Sequence, residues 1–503
     1  MHTTNRLLSV KTVIVLLIVI AVPVYFIFQK IKDGADNKNE SVKVGQSIAV
    51  LPFVNMNKDS SQEYFSDGLT DGIQNSLARL KGLKVCARTS SFKFKKKNID
   101  VKEVGRQLDV HFVLQGSVRL EEGRVEITAN LMNVKDSLNL WSAKYDENMD
   151  DIFALQDKIV NAIAEKLEIT LLHNDRQGLA KKPTISIEAY QLYLKGRSSW
   201  NLRTPPDFIK AIDYFQQAIK LDTLYAAAYS GIADCYTALG YGSFMAPKAA
   251  FPKALEAGTK ALALDSTLAE PHASLGYYNF YYAWDWAVAE QEFRIAIALN
   301  PNYELGYDWY GYYLTAMKRY DEAKVVFKKA AELDPLSVPI ATDLGFTILY
   351  SGDYDLAFKK LQAAIQMNPK FLLAHIWMGR TYQVKKMYPE AIAEYKRTLE
   401  LSMNWPVALS VIGNVYGVSG DTANARKVLD TLAAVSSKKF VTSYGVATVY
   451  TGLGEKDKAF EWLNKAYDER SNWLVWLKAD PRWAPLKNDK RYIELVNKVG
   501  LPE

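Results

Sequence analysis

Two cysteines in 503 residues, Cys86 and Cys235, are too few for a disulfide framework, and they form no CxxC pair. The five histidines, His2, His111, His173, His272 and His375, are dispersed without metal-ligand spacing, so no metal centre is expected. No GxxxxGK[ST] loop and no GxGxxG element is present, which removes the common phosphate-cradling motifs. Ser90 and Lys93 fit S-x-x-K by position, but the SDN and KTG partners of that motif are missing. An excess of one charge sign is missing too. The net charge of +6 is small for this length, and nucleic acid is not an expected partner. No catalytic residue, metal ligand or cofactor is therefore predicted, and the chain reads as a non-enzyme. With 49% hydrophobic and 23% charged residues it is ordered globular protein, too long for one core.

Long uncharged apolar stretches are confined to one place. Thr12 to Phe28 is a 17-residue run rich in Val, Ile and Leu. About 17 residues is the lower limit for a helix that crosses the hydrocarbon layer. No small-x-small cleavage site follows, so an uncleaved anchor is expected over residues 1–29 and a polar tether over 30–44. Its partner is the lipid bilayer, contacted through residues 12–28. Arg6 and Lys11 precede the run, while Lys30, Lys32, Lys38 and Lys43 follow it. That count favours a cytoplasmic C-terminal side. Large following domains translocate largely regardless of charge, so the two arguments conflict.

Residues 45–173 predict a small α/β domain. Ser47 to Phe53 is a short buried strand, and Phe65, Leu69, Ile73 and Leu77 recur every fourth position as an amphipathic helix. Leu83 to Ala87 gives a second strand and Val101, Val104 and Leu108 a short helix. Strict alternation over 112–120 and 125–131, joined by Glu121-Glu122-Gly123, predicts a hairpin. A strand near 138–145 and a helix carrying Ile152, Leu155, Ile159, Ile163 and Leu167 complete a β-α-β-α-β-β-β-α order with a mixed sheet. Lys93, Lys95, Lys96 and Lys97, with Phe92 and Phe94 between them, read as a solvated loop whose aromatics tuck inward.

Five blocks in this stretch, SIAVLPF (47–53), YFSDGLTDGI (64–73), ARTSSFKFK (87–95), VLQGSVR (113–119) and DIFALQDKI (151–159), resemble the FlgO/TolB amino-terminal type domain. In relatives such a domain often lies between a membrane helix and tetratricopeptide (TPR) repeats, as in the C-terminal parts of CadC-type regulators and cyclase-associated TPR proteins. The resemblance implies a bacterial envelope protein, single-pass in the inner membrane with its bulk in the periplasm. About 11 residues precede the helix, so no regulatory or cyclase output is carried over.

From residue 187 to 470 the chain repeats. Ala289, Ala323, Ala357, Ala391, Ala425 and Ala459 stand 34 apart, each followed after four residues by a bulky side chain. Gly311, Gly345, Gly379 and Gly413 precede four of these alanines by twelve. This is the TPR pattern, about eight repeats of paired helices. The gap holding Gly240, Gly242 and Pro247 predicts a protruding loop, and residues 471–503, with Trp473, Trp476 and Trp483, a cap over the last repeat. The expected fold is thus mostly α: an N-terminal transmembrane helix, a small α/β domain with a mixed sheet, then an α-solenoid of TPR helix pairs.

The first helices of such an array line its concave face. Steps from the glycines put Asp308, Tyr312, Phe346, Arg380, Gln383 and Asn414 on one stripe. These are the candidate residues for a protein or peptide ligand, with Tyr312 and Phe346 as anchors and Arg380 orienting it. Two functions fit: a membrane-anchored adaptor using that groove, or an envelope sensor whose α/β domain binds a small ligand and signals through the array.

Overall fold

The computed structural model describes residues 45–502 except 58, 98, 170–181 and 403. The expected anchor at 12–28 and its tether lie outside the described residues. Among the described residues no helix is long and apolar enough to cross a membrane.

The α/β domain is built as its periodicities require. β1 (Gln46–Val50) runs parallel to β3 (Leu83–Val85) on one side and to β4 (Phe112–Glu121) on the other. β5 (Arg124–Asn133) and β6 (Asn139–Asn148) continue antiparallel, and the two-residue β2 (Val54–Asn55) adds to β4. Glu122 and Gly123 both take positive φ, the geometry a two-residue hairpin demands. Alternate residues of the hairpin, Leu114 with Leu131 and Val118 with Ile127, face one side. Two helices cover that side: α1 (Glu63–Ala78) with Phe65, Leu69, Ile73 and Leu77, and α3 (Ile152–Lys166) with Leu155, Ile159 and Ile163. The shorter α2 (Val101–Leu108) covers part of the other face through Val104 and Leu108. Arg88 to Phe94 is helical, not a loop: Phe94 is buried, and Lys95 pairs with Glu63 and Asp67 at 3.0 and 2.6 Å.

Eight helix pairs follow among the described residues. They are α4 (Ile187–Trp200) with α5 (Pro205–Leu221), α6 (Ala226–Tyr241) with α7 (Pro247–Leu264), α8 (Ala269–Tyr278) with α9 (Trp286–Leu299), and α10 (Glu304–Ala316) with α11 (Tyr320–Leu333). Then come α12 (Val338–Tyr350) with α13 (Tyr354–Met367), α14 (Leu372–Val384) with α15 (Tyr388–Ser402), α16 (Pro406–Val418) with α17 (Thr422–Val435), and α18 (Ser443–Gly452) with α19 (Lys456–Asp468). The repeated glycine has a direct cause. A Cβ at Gly311 would come within 2.6 Å of the Phe327 ring, and one at Gly379 within 2.6 Å of Tyr395. At Gly311, Gly345 and Gly379 the bulky residue four after the repeated alanine therefore packs on the glycine of its partner helix, while Gly413 meets Val428 and Val449 instead.

Two segments depart from the sequence reading. The Gly242 region turns inward instead of protruding: Trp405 Nε1 donates to Gly242 O at 3.1 Å, Phe244 stacks on Trp405, and Trp473 Nε1 donates to Ser243 Oγ at 2.9 Å. The second repeat thus meets the seventh across the concave side. Residues 471–502 do more than cap. α20 (Lys490–Val499) lies on α19, with Arg491 over the Phe460 ring at 4.1 Å. Residues 472–486, however, run into the concave side, where Trp476 meets Phe346 at 5.1 Å and Tyr350 at 5.8 Å. Burying two tryptophans there removes more apolar surface from water than a polar cap does.

The α/β domain is fastened to the array at two places. Tyr190 and Leu194 of α4 enter its core, and Gln156 Nε2 donates to Tyr190 Oη at 3.0 Å. At the other place Asn302 Nδ2 donates to Ala78 O and Leu83 O at 2.8 and 2.9 Å, while Val85 N donates to its Oδ1 at 3.0 Å. Ser90, the serine of the S-x-x-K match, is spent in the same seam. Its buried Oγ donates to Asp334 and accepts from Leu336 N at 2.8 Å.

Candidate ligand chamber

These closures leave a cavity of about 570 Å³ on the concave side of the array. The first helices supply most of its wall, since TPR pairs turn that helix inward. Tyr241, Tyr277, Trp309, Tyr312 and Trp377 give it an aromatic surface, and Arg88, Thr89, Phe92 and Lys93 of the α/β domain contribute too. A second cavity of about 400 Å³ lies between α1, α3 and the first repeats, and Arg88, Arg203 and Glu304 line both.

The chamber's charge is arranged unevenly. Its cations are largely spent within the protein. Arg88 Nε donates to both Asp71 oxygens at 2.8 and 2.9 Å, and Arg380 and Arg482 share the buried Asp480. Arg203 stacks on Trp200 with its guanidinium carbon 4.2 Å from the ring centre. The carboxyl groups are less well served. Tyr312 Oη donates to Asp343 Oδ1 at 2.5 Å, and Tyr241 Oη donates to Tyr312 Oη at 3.2 Å. Asp308 and Asp343 hydrogen-bond each other, and burial and mutual repulsion push Asp308 well above the carboxylate range. Burial pushes Asp343 up to about 7. Glu304, one turn before Asp308, is also raised to about 7, by burial and then by Asp334. Low-dielectric surroundings disfavour each charged form, and adjacent carboxylates compound the cost.

The six candidate partner residues are all buried. Asp308, Tyr312 and Arg380 line the chamber. Arg380 gives its guanidinium to Asp480 and is not free to orient a ligand's carboxylate. Phe346 packs between Tyr312, Trp377 and Trp476, inside the stack. Gln383 Nε2 donates to Asn414 Oδ1 at 2.7 Å, and Asn414 Nδ2 to Thr448 O, which ties three repeats together. Helical steps place residues on one helix at a time and carry no information on the C-terminal segment that covers this stripe. Asp343, Glu304, Thr237 and Trp377, which also line the chamber, are not reached by those steps. Of these Asp343 carries a signal in the sequence, the lone charge in the run ATDLGF, two before the repeat glycine.

Residues 44–162 match the model of the HilA/YgeH-like transcriptional regulator second domain. Residues 306–335 match a tetratricopeptide repeat model. The chain is a TPR-repeat protein with a HilA-like domain ahead of the array. The five blocks that resemble the FlgO/TolB type fall inside the first match. Putative adenylate cyclase 3 of Rhizobium meliloti is 35% identical over 187 residues, 37% of this chain and 32% of that protein. Transcriptional regulator HilA of Salmonella typhimurium is 24% identical over 310 residues, 60% of this chain and 54% of that one. The chain thus spans about a third to a half of these relatives. Among solved structures, pilF of Pseudomonas aeruginosa is 21% identical, covering 41% of this chain and 93% of that chain with a TM-score of 0.31.

Proposed function

We propose that the protein is a membrane-anchored receptor scaffold, a binding protein and not an enzyme. Residues 12–28 hold it in the inner membrane with its bulk in the periplasm. The chamber takes up a small ligand, and the outer surface of the array passes the occupied state to a partner protein. The observation that carries this reading is the chamber itself, a concave side narrowed by the chain's own residues 242–244 and 472–486 to about 570 Å³. That size suits a small molecule. Relatives named for two different outputs, a transcriptional regulator and an adenylate cyclase, each match part of this chain, which supports an input role for it.

The test is thermal melting of the full chain in mild detergent against a metabolite panel. A ligand that raises the melting temperature, and fails to do so in the cavity-filling variant Thr237→Phe, is the expected result. A panel with no such ligand argues against the reading. For the anchor, a phosphatase active only outside the cytoplasm, fused after Glu503, should be active. An inactive fusion beside an active cytoplasmic reporter overturns that placement.

A peptide partner is the second reading, favoured by one observation: residues 472–486 already lie against Phe346 and Tyr350, so this face accepts a chain segment. A peptide there must displace Trp476, and Trp476→Ala should then raise partner capture.

A further inference from the structure

We propose that the chamber's ligand is a small organic cation, an amine or quaternary ammonium on an apolar body, held by Asp308 and Asp343 against an aromatic wall. The inference rests on the receptor reading above and adds the chemistry of the ligand.

Three independent features carry it. The first is the uncompensated acid. Asp308, Asp343 and Glu304 line one side of the chamber, while Arg88 and Arg380 are already committed to Asp71 and Asp480. Among the described residues neither Asp308 nor Asp343 forms a salt bridge, and a buried carboxyl pair without an ion-pair partner is the arrangement a cationic ligand relieves. The second is the surface beside the acids. Tyr241, Tyr277, Trp309 and Tyr312 present ring faces and edges, with Tyr277 and Trp309 centred 4.3 Å apart. Aromatic faces attract a desolvated ammonium through their quadrupole, so the same wall that binds an apolar body also favours positive charge.

The third feature is independent of the acids. Thr237 is 0% exposed and its Oγ1 has no hydrogen-bond partner within the protein, and Trp377 is 6% exposed with its Nε1 equally unpartnered. Both line the chamber, one from the second repeat and one from the sixth. A buried polar group without a partner costs free energy; Thr237 Oγ1 can accept from an ammonium, while Trp377 Nε1 can only donate and is answered by an acceptor or ring face on the ligand's body. Asp308 adds a third, since its Oδ1 also lacks a partner at 4% exposure. Arg88, Arg380 and Arg482 already hold Asp71 and Asp480, which leaves Lys93 and Arg203 as the chamber cations an anionic ligand would have to use. A purely apolar one leaves all three groups unanswered.

The experiment is isothermal titration of the full chain in detergent with four probes of matched body: phenethylamine, benzyltrimethylammonium, 2-phenylethanol and phenylacetate. Binding by the two cations at least tenfold tighter than by the alcohol or the acid is expected. Asp308→Asn and Asp343→Asn should each weaken the cations tenfold or more and leave the alcohol unchanged. If either variant fails to fold, the ranking of the four probes on the unmodified protein decides alone. Equal or tighter binding of phenylacetate or the alcohol overturns the cation assignment while sparing the receptor reading. If no probe of any charge binds and no panel compound alters the melting temperature, both fall.

Discussion

Arg380 and Asp480 meet inside the repeat array, Nη1 to Oδ1 at 3.1 Å, although 100 residues of chain separate them. Neither side chain is more than 2% exposed. The contact fixes the C-terminal segment on the concave side, because Asp480 also receives Arg482 Nη2 at 2.6 Å. Burial alone pushes the Asp480 carboxyl up, yet the two guanidiniums outweigh it and hold it well below the usual range.

Arg380→Ala is therefore expected to cost stability. Removing one partner of a buried pair costs about 3–5 kcal/mol when the other is left alone. Arg482 still serves Asp480, which puts the loss near about 3 kcal/mol. Urea unfolding measures it. An unchanged midpoint, the outcome expected of a residue that only orients a ligand, contradicts the structural role.

Gly311→Ala separates propensity from packing. In an exposed helix interior alanine is favoured over glycine by about 1 kcal/mol. Here the new methyl would sit 2.6 Å from the Phe327 ring. Overpacking of about 1–3 kcal/mol should win, and the midpoint should fall. A rise means that α10 and α11 can separate at little cost.

Stability should fall as pH rises from about 5 to 8. Asp343 is raised from 3.8 to about 7 and Glu304 from 4.5 to about 7. A carboxyl raised in the folded state contributes fully below its unfolded value, and that contribution is lost as pH climbs through the folded one. Asp480, shifted the other way, loses its contribution only below the usual carboxylate range, outside this window. Melting temperatures at pH 5, 6, 7 and 8 test the slope, which Asp343→Asn should flatten.

Asn302→Ala should loosen the seam between the α/β domain and the array. It strands Val85 N and two carbonyls, and each lost buried hydrogen bond is worth about 1–3 kcal/mol at most. Hydrogen exchange at the Val85 amide should accelerate while the Leu114–Leu131 ladder keeps its protection. Acceleration across the whole sheet would place Asn302 inside the domain's own folding unit.

By itself the sequence determined the elements and their order. Helix periodicity drew α1 and α3, strict alternation drew β4 and β5, and the 34-residue step drew the paired helices from 187 to 470. These signals are local. A strand must alternate to bury one face, and a glycine must recur wherever Phe327 or Tyr395 crosses a partner helix closely. Tertiary structure alone decided what the concave side contains. The curvature of eight stacked pairs brings Gly242 to Trp405 and Asp480 to Arg380, contacts across 163 and 100 residues. No spacing rule encodes such contacts, because each depends on small rotations summed over every intervening repeat. The same curvature turned Phe346 and Asn414 from an expected binding stripe into packing. It also gathered Asp308, Asp343, Thr237 and Trp377, four residues from four repeats, around one chamber.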